Sequence, residues 1–221
     1  MSDPASQVTP PDALMLLAPG CTHCPKVLEV LGRLIEDGAI GRLEVVNIAV
    51  HPERAAQLGA RSAPWTRVGP FVLEGMHSDA ELRTWARRSG NEEGVRVYLE
   101  AQLTAGRIDL ARALIQGDTR HLAALLPLVA EPETPMQARV GAGALFEEWE
   151  GTPALQALIP RLAELSAHDD RRVRADACHY LGLAGSPRAL PYLQARLDDE
   201  RPEVREIARD SLDRLRGGAA G

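Results

Sequence analysis

The chain has 221 residues, 45% of them hydrophobic and 25% charged, with Lys+Arg 25 against Asp+Glu 31 for a formal net charge of −6. That length holds one large domain or two small ones, and the composition excludes disorder as the default. The acidic balance argues against a nucleic-acid-binding protein, and 3 cysteines are too few for a disulfide scaffold.

The start, Met1 to Gln7, has no basic n-region and no early apolar core, so a secretory signal is not expected. No apolar run approaches the ~18 residues of a membrane span. The expected compartment is the reducing cytoplasm, where a Cys-x-x-Cys is catalytic, redox-sensing or metal-binding. Residues 1–12 are polar and Pro-rich and read as a flexible leader.

Ala13 to Ala18 is an uncharged apolar run, the pattern of a buried strand. Pro19-Gly20 ends it, and Cys21-Thr22-His23-Cys24 follows at once. From Pro25 the apolar residues Val27, Leu28, Leu31, Leu34 and Ile35 keep the spacing of a helix with one buried face, expected over about 25–37. The cysteines therefore sit on a strand-to-helix turn. A helix N-terminus carries unpaired N–H groups and a partial positive charge, which favour a thiolate over a thiol. Cysteines so placed have pKa values of roughly 3.5–7.5, against about 8.5 for a free thiol. Cys21, at the turn, is the candidate nucleophile and Cys24, one turn in, the candidate resolving thiol. The competing reading is half of a zinc site, but zinc takes four ligands, typically from two such pairs, and the sequence has no second pair.

A strand is expected over 43–49, a short helix over 53–59, and a hairpin of strands 65–68 and 71–74 joined at Gly69-Pro70. Ser78-Asp79-Ala80-Glu81 is a capping-box pattern opening a helix to about Arg88. Strand, helix and strand around a Cys-x-x-Cys is the setting in which this spacing reads as a redox motif. With Ser62-Ala63-Pro64-Trp65-Thr66 further on, residues 13–89 resemble the thioredoxin superfamily, whose motif pair is an active-site Cys-x-x-Cys and a cis-proline loop beside it. Asn47-Ile48, His51-Pro52-Glu53 and Gly69 to Gly75 resemble the stretches flanking that proline and the closing hairpin. The size, with four strands, resembles glutaredoxins, as does Pro25 directly after Cys24.

The resemblance implies thiol–disulfide exchange with Cys21 and Cys24 as a redox-active disulfide, needing no metal or organic cofactor. It implies a cis Ala63–Pro64 bond within reach of Cys21, with the Ala63 backbone offered to an extended substrate. It puts Thr22, His23 and Trp65 at the substrate-binding surface. Histidine between the cysteines resembles the periplasmic thiol oxidases, where it stabilises the thiolate; its alternative is a surface residue. Trp65 either covers the sulfurs or fills the core. Two departures narrow the task implied: no carboxylate on the strand before the motif, and Gly20 rather than Trp before Cys21.

Arg88 to Gly94 is polar with two glycines, and the domain boundary is expected there, with 90–94 as linker. Beyond it, over 95–216, helix follows helix, with 217–221 as a flexible tail. Arg171-Arg172-Val173-Arg174-Ala175 recurs as Pro202-Glu203-Val204-Arg205-Glu206, 31 residues on. Each copy follows a Leu-rich helix and an acidic turn, Asp169-Asp170 or Asp198-Asp199-Glu200. Leu122 to Val129 with Gln137 to Val140 is a looser copy upstream, and Val95 to Ile115 a degenerate first pair. Two helices per 31–35 residues mean a helical solenoid, and the Val-Arg and Leu-Gly pattern resembles HEAT-like repeats. Asp169 and Asp199 are expected to pair with Arg174 and Arg205 along the stack, and Cys178 to be packing.

The expected fold class is thus α/β plus all-α: a thioredoxin-like domain with a four-stranded mixed sheet, then a HEAT-like solenoid. The expected function is a thiol–disulfide oxidoreductase acting on a protein partner recruited by the repeats. The alternative is a non-catalytic interaction protein or redox-sensing adaptor. Over 95–221 the charge is 16 Arg against 19 Asp and Glu, too mixed for a nucleic-acid groove, so the ligand expected there is a protein surface.

Overall fold

The computed structural model describes residues 9–218. Residues 1–8 of the expected leader and 219–221 of the expected tail lie outside the described residues. The chain divides into two compact units, Met1–Val95 and Arg96–Gly221.

The first unit is built on β1 (Asp12–Leu17), α1 (Cys24–Glu36), β2 (Arg42–Asn47), α2 (Pro52–Leu58), β3 (Trp65–Val68), β4 (Phe71–Glu74) and α3 (Asp79–Arg88). The sheet is mixed, in the order β2-β1-β3-β4. β1 pairs β2 in parallel, from Asp12 opposite Arg42 to Leu17 opposite Asn47. It pairs β3 antiparallel, with Leu16 opposite Trp65. A central strand covered on both faces has no need of alternation, which is why β1 reads as an unbroken apolar run; Ala13 to Leu16 are all buried.

One face carries Leu14, Leu16 and Trp65 under Ala55 and Leu58 of α2, with Val72 of β4 against the same cluster. Successive strand side chains point to opposite faces, so Phe71 faces the other way, where its ring lies 5.1 Å from that of Trp85 in α3. α3 packs on β3 and on α1, and Arg83 Nη2 ties it to Asp37 at 2.8 Å. Its start is set by the capping box expected from the sequence: Ser78 Oγ accepts from the Glu81 N–H at 3.3 Å and Glu81 Oε2 from the Ser78 N–H at 2.8 Å.

The stretch 90–94, expected as linker, is helical from Glu92, where α4 (Glu92–Thr104) begins. Asn91 Oδ1 accepts from the Gly94 N–H at 2.6 Å, and Glu92 and Glu93 suit the positive helix end. Gly94 acts here as a close approach rather than a breaker. A Cβ on it would stand 2.1 Å from the Arg88 carbonyl oxygen.

The second unit is helical throughout its described residues. α5 (Ile108–Gly117), a 3-10 segment (Thr119–Leu125) and α6 (Leu126–Ala130) lead to α7 (Met136–Glu148). α8 (Pro153–Gln156) and α9 (Ile159–Leu165) precede α10 (Arg171–Leu183), and α11 (Leu190–Gln194) precedes α12 (Pro202–Gly218). α10 is buried almost all round, as an inner helix flanked by neighbours must be. It meets α12 so closely at Gly182 that a Cβ there would lie 2.8 Å from the side chain of Ser211.

The recurring arginines hold these turns. Arg174 Nη1 donates to the carbonyls of His168 and Asp169 at 3.0 and 2.9 Å. Arg205 Nη1 repeats this on Asp199 and Glu200 at 2.7 and 3.2 Å, and Arg139 Nη2 on Pro132 and Thr134 at 3.2 and 3.1 Å. Arg174 also forks the Asp199 carboxylate of the next repeat, Nε to Oδ2 at 2.9 Å and Nη2 to Oδ1 at 3.0 Å, both side chains buried. Asp199 is thus an inter-repeat partner as expected. Asp169 meets Arg174 through its backbone carbonyl, not its carboxylate.

Candidate functional site

The turn from β1 into α1 is a four-residue one. The Cys21 N–H donates to the Ala18 carbonyl at 3.2 Å, with Pro19 and Gly20 between. Proline suits the first central position of such a turn, and the second needs positive φ, which Gly20 supplies at 76°. α1 then opens at Cys24, with Pro25 in its first turn, where no N–H is required of it.

Cys21 and Cys24 are joined as a disulfide, their Cα atoms 5.5 Å apart. The two sulfurs differ in setting. Cys21 is half-buried, Thr22 and His23 are exposed, and Cys24 is 4% exposed. The Cys24 N–H, at the head of the helix, donates to Cys21 Sγ at 3.1 Å. His23 is the N-cap of α1 without a side-chain capping bond, and the first helical turn holds no acidic residue. Nothing in that turn cancels the positive end of the helix, so the field there favours negative charge on Cys21 Sγ once the disulfide is opened.

The Ala63–Pro64 bond is cis. β3 begins at Trp65, opposite Leu16, so Ala63 and Pro64 lie beyond the strand at the end of the sheet where β1 runs into the cysteine turn. Pro64 is buried, and its carbonyl accepts from the Gly75 N–H at 2.9 Å. The Ala63 N–H and C=O make no hydrogen bond among the described residues. Trp65, 2% exposed, belongs to the core cluster under α2 and not to the surface around the sulfurs. The reason is register: Trp65 and Leu16 are cross-strand partners on one face. Of the two places the sequence left open to Trp65, it takes the core.

Two more loops reach this end. The Ile48 N–H donates to the Leu17 carbonyl at 2.9 Å, which fixes the turn after β2 beside the end of β1, and Gly75 fixes the turn after β4 beside Pro64. They present Val50 and Met76, neither of which stood out in the sequence. The one available signal was an apolar residue set in a loop directly before a histidine, His51 or His77.

Cys178 is of another kind. It is fully buried in α10, and burial pushes its thiol up to about 12. Among the described residues no group of three or more His, Cys, Asp or Glu side chains could hold a metal ion. No helix among them is long and apolar enough to cross a membrane.

Comparison with known proteins bears on the second unit. A family model for HEAT repeats matches residues 122–213, leaving the expected first pair, Val95 to Ile115, outside the match. No curated protein matches the chain significantly. Among solved structures, human deoxyhypusine hydroxylase in complex with glycerol is similar at 20% identity, covering 62% of this chain and 67% of that one, with a TM-score of 0.32. HEAT repeats are thus present at 122–213, and arrays of this kind commonly mediate protein–protein interaction.

Proposed function

We propose that the chain is a thiol–disulfide oxidoreductase: a thioredoxin-like sheet domain whose Cys21–Cys24 couple acts on a protein partner held by the HEAT repeats. The observation that carries this is the asymmetry of the two sulfurs. Cys21 is reachable and accepts an N–H at the helix head, while Cys24 is buried behind it. In the reduced protein the Cys21 thiolate attacks a substrate disulfide. One S–S bond forms as another breaks, and one substrate thiolate leaves and takes a proton from water. Cys24, deprotonated in turn, attacks Cys21 Sγ of the mixed disulfide and releases the second substrate thiolate. Two electrons pass to the substrate, the protein ends as the Cys21–Cys24 disulfide, and a dithiol reductant restores it. Tethering a partner on the repeats raises its effective concentration near Cys21 towards the millimolar range, on the order of that for short linkers.

The test uses the full chain. Reduced protein should reduce insulin or a small disulfide, and Cys21→Ser should abolish this. Cys24→Ser, unable to resolve, should trap a mixed disulfide with one or a few specific proteins. A chain inert to every disulfide, or a Cys21→Ser variant as active as the parent, removes the reading. The HEAT repeats themselves favour a second one, an adaptor in which the Cys21–Cys24 pair is a sensor or structural clasp. Partner capture that is unchanged in Cys21→Ser supports that adaptor.

A further inference from the structure

We propose that the loop end of the sheet reads an extended polypeptide segment with apolar side chains two residues on either side of the reacting half-cystine, and that Val50 and Met76 receive them. This rests on the exchange reading above and names its substrate class. Among the described residues of the first unit, Val50 and Met76 are the most exposed large apolar side chains, at 66% and 60%. One such residue alone needs no explanation. These two stand in the loops that follow β2 and β4, the outer strands of the sheet, with the cysteine turn and Ala63 between them. The strand order makes one row: Val50, Cys21, Ala63, Met76.

The dimensions suit a strand-like ligand. Neighbouring strands lie about 4.8 Å apart, so the row from the β2 loop to the β4 loop spans about 14 Å. An extended chain advances about 3.3 Å per residue, so its residues i−2 to i+2 span about 13 Å. Side chains at i−2, i and i+2 share one face, which directs the cysteine and both apolar neighbours at the row together. Near the middle, the N–H and C=O of Ala63, unbonded among the described residues, supply the main-chain donor and acceptor that an extended segment pairs with. A tripeptide thiol has one residue on each side of its cysteine and reaches neither end. The ligand is therefore a polypeptide.

Two pentapeptides test this, Leu-Ser-Cys-Ser-Leu and Gln-Ser-Cys-Ser-Gln, each as a mixed disulfide with a chromogenic thionitrobenzoate. In single turnover the Cys21 thiolate attacks the mixed disulfide, thionitrobenzoate leaves as its coloured thiolate, and Cys24 then releases the peptide thiol. The reduced full chain should discharge the Leu peptide about tenfold faster than the Gln peptide, the low end of what small apolar contacts discriminate. Val50→Thr and Met76→Gln, near-isosteric and on the surface, should each cut that ratio severalfold, and the double variant should bring it close to one. Equal rates in the parent, or a ratio that survives the double variant, overturns the proposal. A second measurement separates recognition from chemistry: fluorescence anisotropy of Ser-for-Cys peptides on a Cys21→Ser, Cys24→Ser full chain. Tighter binding of the Leu peptide there, with no exchange in the parent, sinks the oxidoreductase reading and keeps the recognition row. Exchange at equal rates with no preference in binding does the reverse.

Discussion

The two units treat their polar groups in opposite ways. In the repeats most are closed on one another, Arg139 Nε and Arg196 Nε apart: Arg139, Arg174 and Arg205 each turn back onto backbone carbonyls, Asp199 is forked by Arg174, and the Cys178 thiol is sealed in α10. At the loop end of the sheet they are left open. Cys21 is half-buried, the Ala63 backbone is unbonded among the described residues, and the first turn of α1 has no carboxylate to offset its N–H groups. The recurrent charged residues that dominate the second half of the sequence are spent on architecture. The short, nearly uncharged turn from β1 to α1 keeps bonding capacity for something outside the chain. Reactivity follows unmet bonding, not density of charge.

The largest expected effect sharpens this contrast directly. With the disulfide reduced, alkylation by iodoacetamide followed by mass spectrometry should find Cys21 first and Cys178 last. A thiol pushed up to about 12 is almost wholly protonated at neutral pH, and only the thiolate reacts. The native rates should therefore differ by on the order of 10⁴ or more. Cys178 should label only on unfolding. Comparable labelling of Cys178 in the native chain would break the comparison at its root.

Next is the closed network. Arg174→Ala leaves the Asp199 carboxylate buried without its partner, and the loss of one member of a buried pair costs about 3–5 kcal/mol. Replacing both by apolar residues, as Arg174→Met with Asp199→Leu, should recover much of it, because no charge is then stranded. Thermal unfolding of the parent and the three variants reads this out. The same pair sets an acid limit. Arg174 holds the Asp199 carboxyl below its ordinary value of 3.8, so the folded pKa lies under the unfolded one. The pair's contribution is complete above about pH 4 and is lost as the pH falls through the folded value. Stability should fall as the pH drops below about 4, with a slope that Asp199→Asn lacks.

What could be read in advance divides along the same line. Features set by a few neighbouring residues were legible: the Pro19-Gly20 turn into α1, the Gly69-Pro70 hairpin, the Ser78–Glu81 capping box and the alternation of repeat helices. Features set by what another segment does were not. Trp65 beside Pro64 left a cover for the sulfurs and a place in the core equally open, and only its pairing with Leu16 sends it to the core. Gly94 suggested a break in the chain, and only its approach to the Arg88 carbonyl explains it. At the 31-residue offset Asp199 stands where the earlier turn has His168, and Asp169 where the later one has Glu200, so only the later turn offers Arg174 a carboxylate at that place. Val50 and Met76 lie 26 residues apart in the sequence, and the strand order alone makes them the ends of one row.

Packing between repeats supplies a smaller effect. Gly182→Ala would set a Cβ 2.8 Å from the Ser211 side chain and 3.1 Å from its Cα, so the helices must part slightly. Overpacking of this kind costs about 1–3 kcal/mol, less the roughly 1 kcal/mol that alanine gains over glycine in a helix. Ser211→Gly in the same chain should relieve the contact. A Gly182→Ala variant as stable as the parent, with no response to Ser211→Gly, would mean that α10 and α12 close less tightly than described.

The smallest effect concerns His23, and its size follows from the openness of the site. His23 caps α1 without a side-chain bond and is exposed, so water screens whatever it contributes. Its ring dipole and any positive charge it carries stand two residues from Cys21, whose Sγ also takes the Cys24 N–H. Both favour the thiolate, hence the reduced state, and so raise the reduction potential. An exposed charge near a helix end is worth about 0.3–1 kcal/mol. For a two-electron couple, with about 30 mV to 1.4 kcal/mol, that is on the order of 10–20 mV. His23→Ala should therefore make the Cys21–Cys24 disulfide harder to reduce by that amount in a glutathione or dithiothreitol equilibrium. A shift of the opposite sign would mean that His23 favours the disulfide. No shift would leave the helix end alone to stabilise the Cys21 thiolate.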